Sequence, residues 1–121
     1  APQTRHPRLQ PQPERLSPPL LDLLALDRGG FRRRFRGSPI LRPRWEGFLR
    51  NVCVAAGNWG DPAAAPALAH HLHTAPPLVA VHAAWALGRL ARGTGRPGLQ
   101  AAWERRPEPD VRAAIAAALA G

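Results

Sequence analysis

Lysine is absent from this chain of 121 residues; all 17 basic side chains are arginine. Alanine, proline and glycine are abundant beside that absence, which reads as the coding bias of a GC-rich genome and carries no function by itself. Cysteine occurs once, at Cys53, so no internal disulfide forms. A single cysteine also holds neither an iron–sulfur cluster nor a structural zinc alone. No run of about 18 apolar residues is present, so no segment reads as a membrane-spanning helix. Residues 1–15 are polar and lack the apolar centre of a signal peptide. Acids are scarce: 8 stand against the arginines, for a net charge of +9. These features predict a cytoplasmic protein with an anionic partner, nucleic acid first and an acidic protein or membrane surface second.

Strand alternation is missing as well, and the fold class expected is all-α. Residues 1–15 carry Pro2, Pro7, Pro11 and Pro13 and read as an extended linker or arm. The chain opens on Ala1, and an arm at its start suggests a piece of a longer protein. From residue 16 onward the spacing predicts a helical domain, 16–121. A first helix over 16–26 takes Ser17 as N-cap and Pro18 in its first turn. Asp27 caps a short helix over 28–35, with Phe31 and Phe35 on one side. Trp45, Phe48, Leu49, Val52 and Ala56 form the apolar stripe of a helix over 43–56, which Gly57 and Asn58 end. Arg42, Glu46 and Arg50, spaced by four, are candidates for exposed ion pairs along another side. Further helices are expected over 61–73, with Asp61 as N-cap and Pro62 first, then over 77–91, 98–106 and 109–120.

A repeat runs through this pattern. "PLVAVHAAWAL" (77–87) lies over "PDVRAAIAAAL" (109–119) at an offset of 32, and "FLRNVCVAAG" (48–57) lies over "VAVHAAWALG" (79–88) at an offset of 31, matching Gly57 to Gly88. A helical pair of this length cannot bury its own apolar stripe, whereas stacked pairs can, so the architecture expected is an α-solenoid. The pattern resembles HEAT-type repeats.

Charge is localised. Arg28 to Arg50 holds eight arginines and one acid, while 51–121 holds six arginines and four acids. Guanidinium groups bind phosphate through a planar two-pronged donor set. The candidate phosphate-binding residues are Arg32, Arg33, Arg36, Arg42, Arg44 and Arg50, with about four engaged at once on helical geometry. Gly37 and Ser38, in a "GSP" turn, form a candidate anion nest. Phe31, Phe35, Trp45 and Phe48 fall at helical spacing and read as core rather than as stacking platforms. His70, His71 and His73 have no carboxylate or cysteine at ligand spacing and read as surface or groove residues, with no metal. His82 reads as a satisfied interior or groove residue and Cys53 as a small core residue. No catalytic constellation is present in the chain.

Four segments in order, "FRRRFRGSPI" (31–40), "FLRNVCVAAGN" (48–58), "GDPA" (60–63) and "HAAWALGRL" (82–90), resemble the C-terminal region of the epoxyqueuosine reductase family. The resemblance is good over 16–92; the tail matches as a degenerate repeat, and Leu41 stands where the family often has lysine. The resemblance implies a parent oxidoreductase that reduces epoxyqueuosine to queuosine in tRNA. It also implies cobalamin and two 4Fe–4S clusters in an upstream catalytic core, whose cysteines are not in this chain. This piece would then position the tRNA anticodon stem-loop and adjoin that core, with no membrane partner. A different expectation is a protein-interaction module that binds an acidic protein or peptide in a groove around His82 and Trp85.

Overall fold

A computed structural model describes residues 13–36 and 45–121, with side chains from Pro19 onward. Seven α-helices and no strand occupy the described residues. They are α1 (Pro13–Leu24), α2 (Arg28–Arg34), α3 (Trp45–Trp59), α4 (Ala65–Thr74), α5 (Pro77–Arg89), α6 (Arg96–Trp103) and α7 (Pro109–Ala120). Short 3₁₀ turns, Pro62–Ala64 and Ala91–Gly93, lead into α4 and α6.

The helices stack in two layers. In one, α3 packs on α5 and α5 on α7; in the other, α1 touches α4 and α4 packs on α6. Across the layers α1 pairs with α3, α4 with α5 and α6 with α7, giving three helical pairs in series. The offset of 32 places Pro77 over Pro109, and both prolines open a helix of the same layer. Proline fits there because the first turn has no partner for its missing N–H. Between the layers runs a core of Leu24, Leu49, Cys53, Leu68, Leu72, Val79, Leu87, Leu99, Val111 and Ile115, all essentially inaccessible to solvent. Each buried leucine or isoleucine contributes about 1.5–3 kcal/mol of apolar transfer, which no single pair could assemble alone.

Several boundaries differ from the sequence reading, each for a local reason. The first helix starts at Pro13, so Ser17 and Pro18 lie within it rather than at its start. Asp61 does act as a cap, accepting from the Ala63 amide at 2.8 Å, but what it caps is the 3₁₀ turn. The α-helix begins only at Ala65. The helix expected over 98–106 instead runs from Arg96 to Trp103, because its end tightens to i→i−3 bonds, Glu104 to Ala101 and Arg105 to Ala102, ahead of Pro107.

Gly57 does not end its helix; α3 continues to Trp59. Its role is close approach. A Cβ on Gly57 would lie 2.5 Å from the Trp85 ring and 3.0 Å from the Ala86 Cα on α5. One repeat later, a Cβ on Gly88 would lie 2.9 Å from the Ala118 Cβ on α7. The matched glycines therefore mark the same interhelical contact in successive pairs, and they set how closely the layer packs.

Connections alternate between two edges of the stack. On one edge are the turns 25–27, 75–76 and 104–108; on the other are 60–64 and 90–95. Hydrogen bonds tie neighbouring turns within each edge. The Arg106 guanidinium donates to the carbonyls of Leu72 (3.1 Å) and Ala75 (2.8 Å), and the Ala91 amide donates to Gly60 (3.0 Å).

Candidate nucleic-acid interface

The basic stretch is organised around three rings. Asp27 caps α2, its carboxylate accepting from the Gly30 amide at 2.7 Å. Phe31 and Phe35, one turn apart, meet Phe48 of α3 with centroids 5.0–5.3 Å apart. Phe31 is only 3% exposed. The aromatics are thus packing groups, as their spacing indicated. Because that side of α2 is anchored, Arg32, Arg33, Arg34 and Arg36 are turned outward, and all four are exposed. Three of them occupy the last turn of α2, where positive charge is favourable against the helix dipole.

Among the described residues only two ion pairs form, Arg28–Glu46 at 3.3 Å and Arg106–Glu108 at 3.1 Å. Arg32, Arg33, Arg34 and Arg36 are consequently not neutralised by any described carboxylate. Glu46 does not pair with Arg50 as its spacing suggested. It is taken by Arg28, 18 residues away, whose guanidinium also sits 4.8 Å over the Trp45 ring. Trp45 is fixed in turn by its indole N–H, which donates to the Leu26 carbonyl at 2.9 Å. Arg50 is half-buried on α3, with its Nε donating to the Asn51 side chain at 3.3 Å. The structure thus places Arg32 and Arg33 on α2, Arg36 in the turn just after it and Arg50 on α3. Arg42, Arg44, Gly37 and Ser38 lie outside the described residues.

The arginines nearer the C-terminus behave differently. Arg106 is 7% exposed and joins two turns through the Leu72 and Ala75 carbonyls while gripping Glu108 with a second, parallel hydrogen bond at 3.1 Å. The Glu108 backbone amide and then Arg106 hold the Glu108 carboxyl below its ordinary range. Arg96 donates to the Leu119 carbonyl, and Arg112 to those of Trp103 and Arg106. These side chains cap carbonyls; they are structural.

His71 departs from the surface or groove reading. It is buried, and its Nε2–H donates to the Leu24 carbonyl at the end of α1. Burial first, opposed by this bond, holds its pKa below the ordinary value. Its position on the Leu68–Leu72 stripe was the available signal. His82 is half-buried, with Nδ1 bonded to the Leu78 carbonyl at 2.8 Å. Cys53 is inaccessible, and burial pushes its thiol up to about 12. It is therefore a neutral core group and unsuited to ligate iron. No group of three or more His, Cys, Asp or Glu side chains is placed to hold a metal among the described residues. The described residues thus do not fit a cluster site. No helix among them is long and apolar enough to cross a membrane.

Two adjoining clefts open beside Arg28 and Trp45. One, of about 730 Å³, lies between the end of α1 and α4 and is mostly apolar, with Leu24, Leu26, Pro66 and Ala67 in its walls. The other, of about 560 Å³, lies along the edge formed by the turns after α4 and α6.

The chain is similar to several epoxyqueuosine reductases. It is 29% identical to that of Bacillus subtilis (strain 168) over 114 residues, which is 91% of this chain and 29% of the relative. It is 28% identical to that of Bacillus cereus over 110 residues, covering 88% of this chain and 28% of the relative. With that of Xanthomonas campestris pv. campestris it shares 41% identity over 71 residues, covering 58% of this chain and 20% of the relative. The chain spans under a third of the length of these relatives (29% of the Bacillus subtilis protein). No solved structure matches it. The family profile for HEAT repeats matches residues 45–120, the span from α3 to the end of α7, and with its two-layered stack of helical pairs the chain belongs to the HEAT-repeat family.

Proposed function

We propose that this chain is the RNA-holding helical-repeat region of an epoxyqueuosine reductase, and that it positions a tRNA anticodon stem-loop for an upstream catalytic core that reduces epoxyqueuosine. The chemistry of that core, with cobalamin and two 4Fe–4S clusters, belongs to segments other than the residues described. The observation that carries the reading is the set of exposed arginines on and just after α2, Arg32, Arg33, Arg34 and Arg36, unpaired with any described carboxylate. Arg42, Arg44 and Arg50 are proposed as further phosphate contacts, with Gly37 and Ser38 as a candidate anion nest. Guanidinium–phosphate contacts of this kind fix register and orientation but read no base. Recognition of the modified base is accordingly assigned to the core.

The test is charge reversal. Arg32→Glu, Arg33→Glu and Arg36→Glu together leave the Phe31–Phe35–Phe48 cluster intact, so the helical stack persists. Affinity for an anticodon stem-loop is expected to fall by more than tenfold at low salt. A triple variant that binds as tightly as the parent removes these residues from the interface.

A second reading has one observation behind it. Leu78 and Trp85 on α5 are 41% and 39% exposed, and Trp85 walls a shallow cleft with Val54, Val81 and His82. A peptide or acidic protein bound there would stay bound at high salt and would depend on Trp85 more than on the arginines. Arg89 already covers the Trp85 ring at 5.3 Å, which leaves less free aromatic face than the sequence alone suggests.

A further inference from the structure

We propose that the cleft between the turns after α4 and α6 is a subsite for an RNA backbone phosphate, held by Arg105 from the third helical pair, with the Glu46-paired Arg28 of the first pair on its wall. The inference rests on the RNA-binding reading above and extends it beyond the basic N-terminal stretch.

The cleft of about 560 Å³ is walled by Arg28, Trp45, His73, Thr74, Arg105 and Glu108, among others. The Arg105 side chain is exposed and its guanidinium has no hydrogen-bond or ion-pair partner among the described residues. A long side chain left free beside a concave wall is available to a ligand in a way that Arg96, Arg106 and Arg112 are not. Arg106 also prepares the site. By occupying the Leu72 and Ala75 carbonyls and Glu108, it cancels the negative groups that would otherwise repel an anion at the end of α4. The half-buried His73 reports the resulting field: after burial, the charges of Arg105 and Arg106 are what hold its pKa down. Arg28, the first residue of α2, lines the same cleft while paired with Glu46, so the helix that carries the free arginines Arg32, Arg33 and Arg34 begins at this cleft. A strand lying on α2 would meet this cleft next.

Two measurements on the full chain decide the matter. The first uses Arg105→Gln, with Arg92→Gln as a control of equal charge; Arg92 is exposed in the turn after α5, on the opposite edge. Arg105→Gln is expected to weaken stem-loop binding five- to tenfold at low salt. It should also flatten the log–log salt dependence by about 0.7–0.9, the share of one phosphate. Arg92→Gln should stay within twofold of the parent. If Arg105→Gln binds like the parent while the α2 triple variant does not, the RNA reading stands and the subsite is wrong. The second measurement titrates inorganic pyrophosphate and follows the His73 ring resonances by NMR. A bound anion raises the His73 pKa in the parent and not in Arg105→Gln. No saturable change at His73 overturns the subsite even if the chain binds no RNA at all.

Discussion

Arg106 and Arg32 are the same residue type doing opposite work. Arg106 satisfies two buried carbonyls from a neighbouring helical pair, whereas Arg32 faces solvent. Replacing Arg106 with Met leaves those acceptors unsatisfied and should destabilise the fold by about 2–3 kcal/mol, read as a lowered urea midpoint. Arg32→Gln, by contrast, should move stability by no more than about 0.5 kcal/mol. Nothing local in the sequence separates the two, because the partners of Arg106 lie 31 and 34 residues away. His71 gives a second test at this scale. Its folded-state pKa is held below the unfolded value of about 6.5, so the unfolded chain binds the extra proton first. The stability it contributes is complete above that value and declines as pH falls from there toward the lowered folded pKa. His73 shifts in the same direction and adds to the decline. Urea midpoints should therefore be lower at pH 5.5 than at pH 7.5 by more than in His71→Gln, which keeps a donor toward the Leu24 carbonyl.

Among the elements, α2 is held by its apolar anchor, the triangle of Phe31, Phe35 and Phe48, with the exposed Arg28–Glu46 pair as a weaker second tie. Phe31→Ala should cost about 3 kcal/mol of docking. The loss should appear first as faster hydrogen exchange in α2, while α5 at the centre of the stack stays protected. Stem-loop affinity should fall with it, since the free arginines are presented only when α2 is docked. The contacts within the α3–α5–α7 layer make a sharper prediction. Gly88→Ala places a methyl 2.9 Å from Ala118 and should destabilise by about 1–3 kcal/mol through overpacking, as should Gly57→Ala against Trp85. The repeat itself was legible because both glycines and both helix-opening prolines recur at offsets of 31 and 32. What Gly57 does was not legible. Glycine is both a common helix stop and a close-approach residue, and only the helix packed against it decides which. The start of α4 was obscured for a related reason: an Asp–Pro pair opens a 3₁₀ turn as readily as an α-helix.

At the scale of the molecule, three stacked pairs give a support with the connections on two edges, and the short helix that carries free arginines starts from the turn 25–27 on one of them. Composition located this charge correctly along the chain, because eight of the arginines crowd between residues 28 and 50. It could not show that Arg28 would be spent on Glu46, or that Arg105, far along the chain, would share a cleft with it. Those facts depend on which turns the stack brings side by side. If the edge is an RNA track, its affinity is dominated by released counterions. The most direct measurement is the affinity of the full chain for an anticodon stem-loop across a salt series. Engagement of about four phosphates gives a log–log slope of roughly −3, and the triple charge reversal at Arg32, Arg33 and Arg36 flattens that slope by about 2 or more. An affinity that is independent of salt, or a slope that the triple variant leaves unchanged, contradicts the claim that these guanidinium groups hold the RNA.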